Sequence, residues 1–171
     1  MPRYIALLRG VSPMNAKMAA LRRCFEDAGF GNVRTLLSSG NVAFDAPETP
    51  VLALALQAEA AMAGTLPRSF WTVVRPAQQL QALVQADPFA AFHLPAGMKK
   101  IVTFLREPPS RQPALPLEKD GARILAMHGL EILSAYLPEP GNPAFMRLLE
   151  KTFGAQITTR TWETTGRCAV A

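Results

Sequence analysis

The sequence predicts an α+β fold made of two duplicated, ferredoxin-like βαββα halves with antiparallel sheets and helices packed on one face. Three observations lead to this prediction. Strand-like runs begin at Tyr4 and again at Lys100. Each run is followed further along the chain by a hairpin pattern, and in each half a proline-bearing loop precedes the last helical pattern. Because the two copies of a repeated unit constrain each other, turns and proline-bearing loops at matching places define the architecture more tightly than any single motif.

The first half, residues 1–75, has the predicted order strand, helix, strand, strand, helix, strand. Tyr4–Leu8 is an apolar run bounded by Gly10 and Pro13, which is typical of a buried strand. Apolar residues then recur at helical spacing from Met18 to Ala28, where glycines end the helix. The remaining strands of this half are predicted at Val33–Leu37, Asn41–Phe44 and Phe70–Arg75.

The second helix of this half is predicted to begin at Thr49-Pro50 and to end at Gly64. Threonine is a common N-cap, and proline is tolerated in the first helical turn because its missing N–H has no helical partner there. Ser38-Ser39-Gly40 separates the two middle strands and is a hairpin signal.

Residues 76–99 are predicted to form a connecting helix and loop, and residues 100–171 a second βαββα half with a C-terminal helix. The second half opens with a strand at Lys100–Leu105. Four prolines follow between residues 108 and 116, which leaves room for one short helical turn at most. A hairpin is predicted about Gly129. Asn142-Pro143 is predicted to start the next helix with an N-cap residue and a first-turn proline, as Thr49-Pro50 does in the first half.

Composition indicates a folded protein without a membrane span. Apolar residues make up 49% and charged residues 18% of the 171 positions, which argues against long disorder. The stretch 50–65 is too short to cross a bilayer, and the N-terminal residues lack a signal-peptide pattern. Cys24 and Cys168 are expected to be free thiols in a reducing compartment, so we predict a cytoplasmic location.

Known motifs for phosphate loops, dinucleotides and metals do not occur. With His93 and His128 as the only histidines, we expect neither a metal site nor a cofactor, and both residues are predicted to be exposed loop histidines. An RNA-recognition sheet needs an aromatic platform on its first and third strands. Here these strands offer only Tyr4 and Phe44, which disfavours that function.

The net charge is +5, and 13 of the 18 basic residues are arginines, which suit planar contacts with phosphate or carboxylate. The basic residues are scattered along the sequence, however, which is more typical of a solvated surface than of a binding patch. Arg9 ends the first strand, and Ser39 and Asn41 flank the hairpin turn, so the three can meet at one end of the sheet if the first and third strands are neighbours. Turn chemistry and a surface salt bridge are the alternative interpretation. Arg160 and Trp162 form the second candidate, although a lone tryptophan more often packs a core.

Several segments together resemble one protein family. They are Tyr4–Gly10, Gly29-Phe30, Asn32–Thr35, Ser39–Val42 with Phe44, Asp87-Pro88-Phe89 and Thr158–Thr164. In this order and spacing the chain is similar to the bacterial domain-of-unknown-function family 1697. The resemblance implies a cytoplasmic α/β protein with duplicated ferredoxin-like halves and implies no established activity.

Two departures from that family concern possible ligand contacts. Members usually follow the Arg-Gly with a glycine-rich turn, whereas this chain has Val11–Asn15. They also tend to carry asparagines beside the tryptophan, where this chain has Thr161 and Glu163. If those groups line a ligand site in the family, this chain is expected to bind differently or not at all.

Three functional hypotheses follow. The leading one is a binding module for an anionic ligand, either a phosphate-bearing small molecule or a nucleic acid backbone. The second is a small cofactor-independent enzyme in which Arg9 or Arg160 holds a substrate anion. The third is a structural or protein-interaction module that uses a sheet edge or an apolar patch. The sequence leaves the oligomeric state open.

Overall fold

The computed structural model describes residues 1–171 as two compact units. The first unit comprises Met1–Ala86 together with Gly166–Ala171, and the second comprises Asp87–Thr165. Each unit contains one antiparallel sheet, so the predicted α+β class is confirmed. None of the helices has the length and apolar character that crossing a bilayer requires.

The first unit contains the predicted order of strands and helices. Its elements are β1 (Arg3–Leu8), α1 (Met18–Asp27), β2 (Gly31–Leu36), β3 (Asn41–Asp45), α2 (Val51–Thr65), β4 (Thr72–Pro76) and α3 (Ala77–Ala86). The strands form a sheet in the order β2-β3-β1-β4. The predicted neighbourhood of the first and third strands is confirmed, with Leu7 opposite Asn41.

The core of the first unit lies on one face of this sheet. Alternate residues of β1, such as Tyr4 and Leu8, point to this face because side chains alternate along a strand. Leu21 and Phe25 of α1 and Met62 of α2 close the core. Tyr4 and Phe44 are stacked inside it with ring centroids 5.7 Å apart. These aromatic rings therefore do not form a surface platform for bases.

The second unit is built around a five-stranded sheet. After a short 3-10 helix (Pro88–Ala91) come β5 (Lys99–Phe104), β6 (Leu117–Lys119), β7 (Ala122–His128), β8 (Glu131–Tyr136), α4 (Ala144–Phe153) and β9 (Thr158–Thr161). Helix α5 (Trp162–Ala169) follows, and its residues from Gly166 onwards belong to the first unit. The strand order is β6-β7-β8-β5-β9. Phe145 and Leu149 of α4 pack on isoleucines of the sheet, and the Phe145 ring stacks on Tyr136 at 4.5 Å.

The structure differs from the sequence predictions in the second unit. No helix occurs between β5 and β7, so the predicted βαββα order is wrong there. Prolines fill this connection and cannot donate helical hydrogen bonds, and the chain instead adds the short strand β6. Strand β9 was also not predicted, because Thr158–Thr161 lacks an apolar alternation.

The predicted helix caps differ as well. Thr49 does not cap α2, because its hydroxyl donates to the carbonyl of Pro47 at 2.6 Å and Pro50 occupies the cap position. Asn142 lies one residue outside the cap position of α4, yet its Oδ1 accepts the N–H of Ala144 at 2.9 Å. A side-chain oxygen at this place satisfies a helix N–H that has no partner within the helix.

Candidate functional site

A groove in the second unit lies between the β6–β7 turn and helix α4. It encloses about 450 Å³, a volume within the usual range for small-molecule sites. Lys119, Asp120, Arg147 and Lys151 are its charged residues, and we call it the cationic groove. Its other walls are Leu117, Asn142, Pro143, Ala144, Leu148 and Thr152.

Helix α4 places two of the three cations on one face. Arg147 and Lys151 are four residues apart, so their side chains are neighbours on the helix surface. Phe145 and Leu149 face the core instead and are buried. Burial of these two apolar residues therefore orients the helix so that its basic face lines the groove. Gly154 ends the helix with a φ of 86°, in the region that favours glycine.

The third cation comes from a tight hairpin. Lys119 pairs with Ala122, so only Asp120 and Gly121 connect β6 to β7. Both connecting residues have positive φ, 51° and 82°, as a type I′ turn requires. Asp-Gly is a preferred sequence for this turn. Asp120-Gly121 is therefore a signal in the sequence for the β6–β7 hairpin, which the sequence-based prediction did not include.

The charges of the groove are not balanced within the protein. Lys119, Arg147 and Lys151 are exposed, and none makes an ion pair or a side-chain hydrogen bond. Asp120 is the only acid in the lining. Like charges at a spacing of four residues destabilise a helix by about 0.2–0.5 kcal/mol. The start of α4, at Pro143 and Ala144 in the lining, adds the positive potential of the helix dipole. An anion in the groove would relieve this repulsion.

Three of the residues predicted from the sequence lie together at one end of the first unit's sheet. The N–H of Leu8 donates to the carbonyl of Gly40 at 2.9 Å, which places Arg9 next to the turn that carries Ser39. Arg9 is half-buried, and Ser39 is exposed. Asn41 is fully buried, and its amide donates to the carbonyl of Leu36 at 3.1 Å and to the hydroxyl of Ser39 at 3.0 Å. Asn41 thus stabilises the turn.

The other two predicted residues belong to the second unit. Arg160 is 7% exposed, and its guanidinium donates to the Thr158 hydroxyl at 2.8 Å and to the Thr159 carbonyl at 2.7 Å. The ring of Trp162 packs edge-on against Phe89, with centroids 5.1 Å apart. These contacts give both residues a structural role, and their part in ligand binding stays a prediction.

Both histidines are exposed, as predicted. His93 lies in a loop, whereas His128, also predicted in a loop, is the last residue of β7. Cys24 and Cys168 are free and buried, and the sulfur of Cys24 accepts a hydrogen bond from the Thr65 hydroxyl at 3.2 Å. No group of three or more metal-ligating side chains is gathered in the structure.

The two sheets and five helices define an α+β protein of two compact units, with a cationic groove in one of them. A family model described as "Protein of unknown function (DUF1697)" matches residues 1–130, and the chain belongs to this family. The resemblance identified from the sequence is therefore confirmed.

Comparison with solved structures finds the same fold in a conserved bacterial protein, SP0830, from Streptococcus pneumoniae. The TM-score is 0.71 and the sequence identity is 20%, with 99% of this chain and 97% of the other chain covered. No curated protein matches the sequence. At this level of identity the structural similarity concerns the fold alone.

Proposed function

We propose that the protein binds a phosphate-bearing small molecule in the cationic groove. The observation that carries this proposal is the set of three unpaired cations around one cavity, opposed by a single acid. Arg147 supplies a planar fork that can contact two phosphate oxygens at once, and the lysines supply point charges. A phosphate group would convert a repulsive cluster into charge-assisted hydrogen bonds.

The walls of the groove favour a ligand with an apolar part beside its anionic group. Leu117, Pro143 and Leu148 supply apolar surface next to the cations. A bare inorganic anion fills only a fraction of about 450 Å³. We therefore expect a nucleotide-sized ligand, whose ring contacts the apolar wall, to bind more tightly than pyrophosphate.

Isothermal titration tests this proposal with two probes, inorganic pyrophosphate and ADP. The double variant Arg147→Gln with Lys151→Gln is expected to weaken binding of either probe by at least about tenfold, since each hydrogen bond to a charged group contributes about 1.5–3 kcal/mol. Arg23→Gln is the matched control, because Arg23 is an exposed helical arginine of the first unit outside the groove. Equal affinities for the double variant and the control would refute the proposal.

Two further anion contacts and a nucleic acid partner are also part of the proposal. Arg9 and Ser39, beside the turn held by Asn41, are a second proposed anion contact, and Arg160 with Trp162 a third. Arg9→Gln is expected to reduce the binding of pyrophosphate or ADP only if the anion contacts Arg9. Titration with a single-stranded oligonucleotide over a range of salt concentrations tests a nucleic acid partner, for which the logarithm of the binding constant falls linearly with the logarithm of salt.

We also propose that the two units are duplicated ferredoxin-like halves. Four strands of the second sheet, β7-β8-β5-β9, occur in the same spatial and sequential order as β2-β3-β1-β4, with β6 added at the edge. Helix α4 then corresponds to α2 in chain order. Two free, buried cysteines are compatible with the cytoplasmic location that we propose.

A further inference from the structure

Strand β2 lies at the edge of the first unit's sheet and pairs only with β3. An edge strand presents backbone N–H and C=O groups that another strand can pair with. Arg3 ties the irregular start of β2 to the sheet, because its guanidinium donates to the carbonyl of Asn32 at 2.7 Å and to the Asp45 carboxylate of β3 at 2.9 Å. The regularly paired stretch from Arg34 to Leu36 forms the rest of this edge, and Leu37, with a φ of 56°, turns out of the strand.

A cavity of about 410 Å³ lies along this stretch. Arg34 and Arg167 line it, both are exposed, and neither side chain has a hydrogen bond or an ion pair. Leu37 and Val170, with 45% and 81% of their surface exposed, provide apolar contacts at the same place. The cavity thus combines two unpaired guanidinium groups, apolar surface and a free strand edge.

We propose that this edge binds an acidic, extended peptide segment of a partner protein, which adds a strand beside β2. Backbone hydrogen bonds along a sheet edge give such complexes affinity, and alternate side chains give them specificity. Arg34 and Leu36 are two residues apart and share a face of the sheet, since side chains alternate along a strand. The peptide is therefore expected to carry an acidic residue and an apolar residue two positions apart.

Charge decides between this peptide and a second copy of the chain. Antiparallel pairing of two β2 strands over the Arg34–Leu36 stretch sets Arg34 opposite Leu36 of the second copy. It also gathers Arg34 and Arg167 of both copies, four exposed cations, at one contact. Like charges brought together at an interface disfavour that pairing. A carboxylate instead accepts two parallel hydrogen bonds from a guanidinium. The unpaired arginines therefore favour an acidic occupant.

Fluorescence anisotropy tests the proposal with a labelled, end-blocked heptapeptide of threonines that carries glutamate at position three and valine at position five. Arg34→Gln and Arg167→Gln are each expected to weaken binding by about tenfold or more, the effect of losing a charge-assisted hydrogen bond. Arg23→Gln is the matched control and should leave the affinity unchanged. Circular dichroism melting confirms that each variant is folded.

Three peptide controls separate the parts of the proposal. Lysine in place of glutamate should abolish binding, and N-methylation of alternate backbone amides should weaken it by removing strand donors. Moving valine next to glutamate should also weaken binding, because the two side chains then point to opposite faces. Equal binding of the lysine peptide would overturn the proposal. So would a homodimer in light scattering that Leu37→Lys dissociates, since a second copy would then occupy the edge.

Discussion

Gly40, in the turn beside Arg9, offers a sharp test of how the first unit is packed. Its φ is 85°, and a Cβ atom placed on it would lie 2.9 Å from two carbons of Val11 and 3.0 Å from the Cβ of Leu8. Gly10 has a similar φ of 79° but no atom within 4 Å of its Cβ position. Comparing alanine at the two sites therefore separates the contact with Val11 from backbone strain.

The expected magnitudes differ for the two variants. Left-handed backbone costs an alanine about 1–2 kcal/mol. Overpacking of a filled core adds about 1–3 kcal/mol. We expect Gly10→Ala to lower the free energy of unfolding by about 1–2 kcal/mol and Gly40→Ala to lower it by about 2–5 kcal/mol. The Cβ atoms of Val11 and Leu8 are attached directly to the backbone, so a simple side-chain rotation cannot relieve the contact.

Urea unfolding measures this difference in a Trp162→Phe background. The chain has two tryptophans, and this change leaves Trp71 to report on the first unit alone. The separation matters because two compact units need not unfold together. Equal losses of stability in Gly40→Ala and Gly10→Ala would show that the close approach of the turn to Val11 has no energetic effect.

The remaining predictions concern the groove, the turn and the Phe89 contact. Arg147→Gln should raise the free energy of unfolding by about 0.2–0.5 kcal/mol in thermal melts while weakening pyrophosphate binding, because it relieves repulsion from Lys151 and removes a cation from the first turn of α4; a loss of stability would contradict this. Asn41→Ala should destabilise the protein by about 1–3 kcal/mol in urea titration, since the Leu36 carbonyl loses a buried donor, and an unchanged midpoint would show that the bond is dispensable. Phe89→Ala should cost about 3–5 kcal/mol and shift the Trp162 fluorescence maximum, whereas unchanged fluorescence would argue against the ring contact.

The elements that the sequence predicted well have strong local signals. Apolar runs bounded by glycine or proline identified β1 and β5 to within one residue at their ends. Helical spacing identified α3 and α4, whose apolar residues face one side. These patterns reflect burial of one face, which the sequence records directly.

The missed elements depend on partners that are distant in sequence. Strand β9 is composed of threonines and one arginine, and its position is fixed by pairing with β5. Strand β6 has only three residues and is held by its hairpin with β7. Short polar strands carry little periodicity. Only the Asp120-Gly121 turn signal could have located β6 from the sequence.

The candidate site was predictable only in part. The meeting of Arg9 with the Ser39 turn follows from strand order, which the sequence indicated. The cationic groove combines Arg147 and Lys151 with Lys119 across the β6–β7 turn. The pair on α4 is visible in the sequence as two cations four residues apart. The sequence does not show that Arg147 and Lys151 lie near Lys119, because this proximity depends on tertiary packing.

The central claim, anion binding in the cationic groove, is tested most directly by an amide NMR titration with ADP. Anion binding there should give saturable chemical-shift changes confined to residues 117–121 and 142–152, and these changes should vanish in the Arg147→Gln, Lys151→Gln double variant. Shifts that map elsewhere, or that persist in the double variant, would contradict it.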